Sequence, residues 1–84
     1  MKFKAKINVM PLKEILDPQG KAVKLGLQNL DIKDVLDVRI GKHIILEIEA
    51  SSVKEAENEI ELACKKLLAN LIMESYSFKV EEIK

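Results

Sequence analysis

The first residues alternate without interruption: Phe3, Ala5, Ile7 and Val9 are apolar, while Lys2, Lys4, Lys6 and Asn8 between them are polar. A two-residue period puts these sets on opposite faces of a strand, one buried and one solvated. Pro11 ends the ladder because it has no N–H to donate. The period then lengthens. Asp17-Pro18 reads as a helix start, with aspartate as the cap and proline preorganised for the first helical position. Ala22, Val23, Gly26, Leu27 and Leu30 follow at helical spacing, and the helix is expected to end near Leu30-Asp31. Gly26 inside a helix costs about 1 kcal/mol relative to alanine, so close packing against a sheet is the expected reason for it.

Strand patterns return next. Leu36, Val38 and Ile40 alternate with Asp37 and Arg39; Ile44, Leu46, Ile48 and Ala50 alternate with Ile45, Glu47 and Glu49. Ser52-Val53-Lys54-Glu55 fits a capping box, serine reaching forward and glutamate back. Val53, Ala56, Ile60, Ala63, Cys64 and Leu67 then mark the buried stripe of a second helix, which Asn70 can close in a left-handed conformation. Tyr76, Phe78 and Val80 form a last strand.

The element order is β-α-β-β-α-β, the split βαβ pattern of a ferredoxin-like sandwich. This α+β fold has a four-stranded antiparallel sheet with both helices on one face. The joint at Gly41 allows two versions of it. The inward residues from Leu36 to Ala50 keep one phase across the glycine. A three-residue loop, Gly41-Lys42-His43, pairs Ile40 with Ile44 and Val38 with Leu46 in a hairpin. A single long strand bent at Gly41 fits equally well, with its ends in different sheets and halves exchanged between two chains.

Size and charge narrow the functional classes. The 84 residues give room for a single domain, 1–84, with 14 Lys+Arg against 14 Asp+Glu. A balanced charge argues against nucleic acid as the main partner, because phosphate binding is driven by basic excess. A sheet-face nucleic-acid platform is further weakened by having only Phe3, Tyr76 and Phe78 as aromatics. No apolar run approaches the length of a membrane span. One cysteine cannot form an internal disulfide, which makes the cytoplasm the default compartment.

Candidate chemistry is sparse. His43 is the sole histidine, and no HxH, CxxC or HExxH spacing exists. Cys64 falls in the buried stripe, where cysteine acts as a small apolar residue. Ser51, Ser52, Ser75 and Ser77 have no nearby base, and Glu55, Glu57, Glu59 and Glu61 fan around a solvated helix face. Gly20, Gly26 and Gly41 are too scattered to cradle a phosphate. Catalysis by this chain alone is not expected. Its unusual feature is the sheet face opposite the helices, where Val35 and Ile45 are expected among polar neighbours, a setting suited to docking a partner.

Three segments carry a resemblance. Leu16-Asp17-Pro18-Gln19-Gly20 opens the first helix, Asp37-Val38-Arg39-Ile40-Gly41-Lys42 spans the joint, and Lys66-Leu67-Leu68-Ala69-Asn70 closes the second helix just before Glu74-Ser75-Tyr76. In this order the chain resembles the PurS family, the small subunit of phosphoribosylformylglycinamidine synthase. Glu14 stands where the family often has glycine, Ser75 where an acidic residue is common, and Leu71-Ile72 is more apolar than usual.

The resemblance implies a non-catalytic assembly subunit in de novo purine biosynthesis. The complex converts formylglycinamide ribonucleotide to the amidine. Its glutaminase subunit releases ammonia, and its large synthetase subunit activates the substrate amide. The small subunit would bridge the two and assist ammonia transfer, which needs protein walls and no catalytic group of its own. The complex uses ATP and magnesium, with no cofactor assigned to this subunit, and the subunit itself would be a homodimer or a dimer of dimers. Asp17, Pro18, Gln19, Gly20, Arg39, Gly41, Lys42 and Asn70 become the motif and interface candidates. Asp17, Pro18 and Asn70 can also serve as helix caps and Gly41 as a bend, whereas Arg39 is expected to project from the open sheet face beside Val35 and Ile45. The alternative from another class is a small-ligand-sensing regulatory domain, since ferredoxin-like sandwiches often bind metabolites between subunits.

Overall fold

A computed structural model describes residues 1–14 and 17–84; Leu16, which opens the first motif stretch, lies outside the described residues. The expected first strand, β1 (Lys2–Pro11), forms as read. It is the central strand of a three-stranded antiparallel sheet ordered β2-β1-β3, flanked by β2 (Lys42–Glu49) and β3 (Glu74–Ile83). Phe3, Ala5, Ile7 and Val9 are almost completely buried because neighbours cover them on both sides. Ile7 sits opposite Ile44 and Phe78, and Ala5 opposite Leu46 and Val80, so the inward sets of all three strands share one face.

Helix α2 (Val53–Ala63) covers that face. Ser52 caps it, its side chain accepting from the Glu55 amide at 3.2 Å. The reciprocal half of the expected capping box is altered: the Glu55 carboxylate accepts from the Ser51 hydroxyl. Ala56, Ile60 and Cys64 form the buried stripe, meeting Phe3, Ala5, Ile7 and Val9 in the core. Val53, also expected in the stripe, is about half exposed.

The helix continues as a π-helical turn, Cys64–Leu68, closed by the Ala69 amide on the Cys64 carbonyl at 3.0 Å. The wider turn shifts the helical phase by one residue. Leu68 therefore packs against the core, and Leu67, expected inside, is 81% exposed.

The remaining expectations need correction. Among the described residues the sheet has three strands, and residues 36–40 form no strand. The hairpin reading of Gly41 fails with them: β2 pairs with β1, and Ile40 and Val38 do not pair with Ile44 and Leu46. Two main-chain groups of 36–40 are occupied elsewhere. The Ile40 amide donates to Asp17, and Lys24 Nζ donates to the Leu36 carbonyl at 2.9 Å.

Helix α1 (Pro18–Asn29) is the second departure. Gly20 is its only buried residue, and no residue of α1 belongs to the core, so only α2 packs on the sheet. A Cβ on Gly26 would meet nothing, so close packing does not explain that glycine. The helix ends near Leu30 as expected, where Asp31 is left-handed with φ 64°, a position that aspartate tolerates. Among the described residues Asp31 is the only non-glycine residue with positive φ, so Asn70 is not left-handed.

Residues 12–14 and 17–41 thus belong to an arm that leaves the sheet and returns to it. The molecule measures 51 × 29 × 14 Å with a radius of gyration of 16.5 Å. A compact domain of this length would have about 12 Å.

Candidate functional site

Residues singled out far apart in the sequence converge at one end of the sheet, where β1 finishes and β2 and β3 begin. Asp17 organises the arm. Its Oδ1 accepts from the Gly20 amide at 3.0 Å, the ordinary work of a helix cap. Its Oδ2 accepts from the Ile40 amide at 2.8 Å, which joins the start of α1 to the far side of the arm. These donors hold the carboxyl below its ordinary pKa: Ile40 contributes most, then Gly20, with Gln19 and the Arg39 charge adding to them against partial loss of water. Pro18 occupies the first helical turn, and the neighbouring Gln19 is exposed.

Both motif glycines are required by close approach. A Cβ on Gly20 would lie 2.1 Å from the Val38 carbonyl oxygen. On Gly41 it would lie 2.2 Å from Met10 Sδ and 2.5 Å from the Val9 carbonyl oxygen. Methionine can swing aside, but backbone oxygens cannot. Neither glycine has a positive φ, so contact rather than conformational freedom selects them.

Arg39 does not project from the open sheet face as expected. Nη1 donates to the Leu12 carbonyl at 2.8 Å, Nη2 donates to the Lys13 carbonyl, and Nε lies 3.4 Å from the Asp37 carboxylate. Val35 is also off the sheet, half-buried in the arm. Ile45 does lie on the open face, 59% exposed and in register with Lys6.

At the β3 side, Asn70 shapes the turn by accepting rather than by a left-handed backbone. Its Oδ1 takes the Ile72 amide at 3.1 Å, and its carbonyl takes the Met73 and Glu74 amides. The Glu74 carboxylate accepts the Asn70 amide at 2.8 Å and pairs with Lys42 Nζ at 3.7 Å, tying the starts of β2 and β3 together. Leu12 completes the cluster, donating its amide to the Met73 carbonyl at 2.9 Å while its own carbonyl receives Arg39. Sequence reading passed over Leu12 because it acts through its main chain, for which side-chain type carries no signal.

The remaining candidates stand apart. His43 is exposed, with Nδ1 2.7 Å from Asn8 Oδ1 across the β1–β2 ladder. Cys64 is fully buried, and burial together with the negative Glu61 pushes its thiol pKa up, away from the reactive thiolate. Glu61 also accepts a hydrogen bond from the Tyr76 hydroxyl. Among the described residues no group of three His, Cys, Asp or Glu side chains converges to hold a metal ion. The cluster is built to fix backbone segments relative to each other, with two open grooves flanking Arg39.

Comparison with known proteins gives a consistent answer. Residues 4–82 match the model of the PurS family, described as phosphoribosylformylglycinamidine (FGAM) synthase. The chain is 41% identical over 81 residues to phosphoribosylformylglycinamidine synthase subunit PurS of Bacillus subtilis, covering 96% of this chain and 95% of that one. The corresponding subunit of Synechocystis is 40% identical, with 93% and 78% covered. Among solved structures, Bacillus subtilis PurS superposes with a TM-score of 0.86 over 95% of this chain and 99% of that one. A chain from the structure of PurLQS from Thermotoga maritima reaches 0.87 at 31% identity, covering 96% and 99%.

Proposed function

The chain belongs to the PurS family, and from that premise we infer that it is the small, assembly subunit of FGAM synthase in purine biosynthesis. It bridges a glutaminase subunit and a large synthetase subunit of an ATP-, magnesium- and glutamine-dependent complex in the cytoplasm, and helps ammonia pass between them. The likeness to a chain of PurLQS supports a place among larger subunits, and nothing in the comparisons favours the small-ligand sensor.

The observation that carries the assembly role is the unshielded arm. Leu36 is 90% exposed, and Leu30 and Ile32, a few residues before it in the chain, are also open, although their apolar surface should be covered. We read the arm as half of a homodimer contact. Residues 36–40 keep the alternation of a strand, and both edges of the sheet are long. Adding that segment to the edge of a second copy would satisfy both. On the β3 side, around the turn that precedes that strand, Leu67 and Ile72 offer further apolar surface for the larger subunits or for a dimer of dimers.

Mixing the chain with the glutaminase and synthetase subunits, glutamine and a magnesium nucleotide tests the reading. Sedimentation should show one complex, and glutamine-dependent amidine synthesis should depend on this chain. The absence of a complex, with synthesis equally fast when the chain is left out, would overturn it.

A further inference from the structure

Among the described residues none of the arm belongs to the core, so within one chain its angle to the sheet is set at the two points where it leaves and returns. We propose that Arg39 is the latch that fixes this angle. Within the arm, Asp17 binds the amides of both Gly20 and Ile40, and Val38 seats against Gly20 with no room for a Cβ. The first turn of α1 and residues 37–40 are therefore one piece. From that piece the Arg39 guanidinium reaches the carbonyls of Leu12 and Lys13, the first two residues after β1.

Two N–H groups of one plane on two successive carbonyls fix both distance and orientation, which the single ammonium of a lysine does not. The Gly41 contact with Met10 and Val9 supplies the second point, at the start of β2. A close contact at one end and a two-pronged hydrogen bond at the other leave the arm one position.

The latch reaches further through Leu12. The residue whose carbonyl receives Arg39 also donates its amide to the Met73 carbonyl. The arm bearing Leu36 and the turn bearing Leu71 and Ile72 are thereby held in a fixed relation by one residue. This is a property of the chain alone and stands whether or not the assembly role does.

The test uses the full chain with spin labels at Lys33→Cys and Lys79→Cys, both exposed, in a Cys64→Ala background. Labelled chain is diluted with unlabelled chain so that distances within one molecule are read. The parent should give one narrow distance, and Arg39→Ala a shifted or clearly broadened one. Amide exchange at Leu12 and across residues 70–74 should rise about tenfold or more in Arg39→Ala, the scale of a lost charge-assisted hydrogen bond. Exchange at Ala5 and Ile7 should stay as in the parent. An unchanged distance with unchanged Leu12 exchange overturns the latch, as does a uniform rise that includes Ala5 and Ile7. Should Arg39→Ala fail to fold, Arg39→Lys keeps the charge and stem without the paired donors, and the same two readouts decide.

Discussion

Tyr76 shows how far a single contact can be taken. Its hydroxyl donates to the Glu61 carboxylate, and that bond, with partial burial and the glutamate's charge, pushes its pKa up to about 12. The protonated form is the one the fold favours. The contact therefore contributes stability fully below the ordinary tyrosine pKa of about 10 and loses it as pH rises from there to about 12. Tyr76 is the only tyrosine and there is no tryptophan, so an ultraviolet absorbance titration reports it alone. The transition should centre near 12, and Glu61→Gln should bring it back toward 10. A parent midpoint near the ordinary value would show that the contact is not formed in solution. At this scale sequence reading succeeded where a residue's type states its partner: Asp17 before Pro18 is a cap, and it caps. It failed for Arg39, because a carbonyl acceptor belongs to every residue and no pattern reveals which one a guanidinium will choose.

The elements divide along the same line. β1, α2 and β3 were legible because their apolar periods match what covers them: the sheet neighbours, the helix and the strand all meet in one core. Helix α1 was legible as a helix, from its cap and spacing, and misplaced as part of a sandwich. Its apolar stripe is real, but amphipathicity states that a face will be covered without naming what covers it. Gly26 turns this into a prediction. With nothing near its Cβ position, Gly26→Ala should raise unfolding stability by about 0.5–1 kcal/mol in urea melts through helix propensity alone. Gly20→Ala should do the opposite, because its Cβ has no place beside the Val38 carbonyl. A loss of stability in Gly26→Ala would mean that another chain approaches that helix closely. The π-helical turn was beyond pattern reading altogether: one residue of added phase exchanges Leu67 for Leu68, and both are leucine.

As a whole molecule the chain is extended, with a radius of gyration of 16.5 Å against about 12 Å for a compact domain of its length. Small domains keep only a thin margin of stability, and an arm of exposed leucines adds to the need for a partner. The chain is expected to sediment as a dimer at micromolar concentration, and Leu36→Asp to shift it toward monomer with the helix and strand signals of circular dichroism retained. A parent that stays a folded monomer under dilution would sink the strand-exchange reading of Gly41.

The family itself was readable from three stretches, and the comparisons bear it out over residues 4–82. The sequence alone determined the first strand, the two helices with their N-terminal caps, and the buried thiol. Each of these is local, written in the spacing of apolar side chains and in the chemistry of a few adjacent residues. The tertiary structure alone decided that residues 36–40 leave the sheet, that Gly20 and Gly41 are there to admit carbonyl oxygens, and that Arg39 closes on the backbone beside Leu12. Those outcomes depend on which main-chain atoms meet across the fold. Main-chain atoms are the same at every position, so their meetings leave no mark in the sequence.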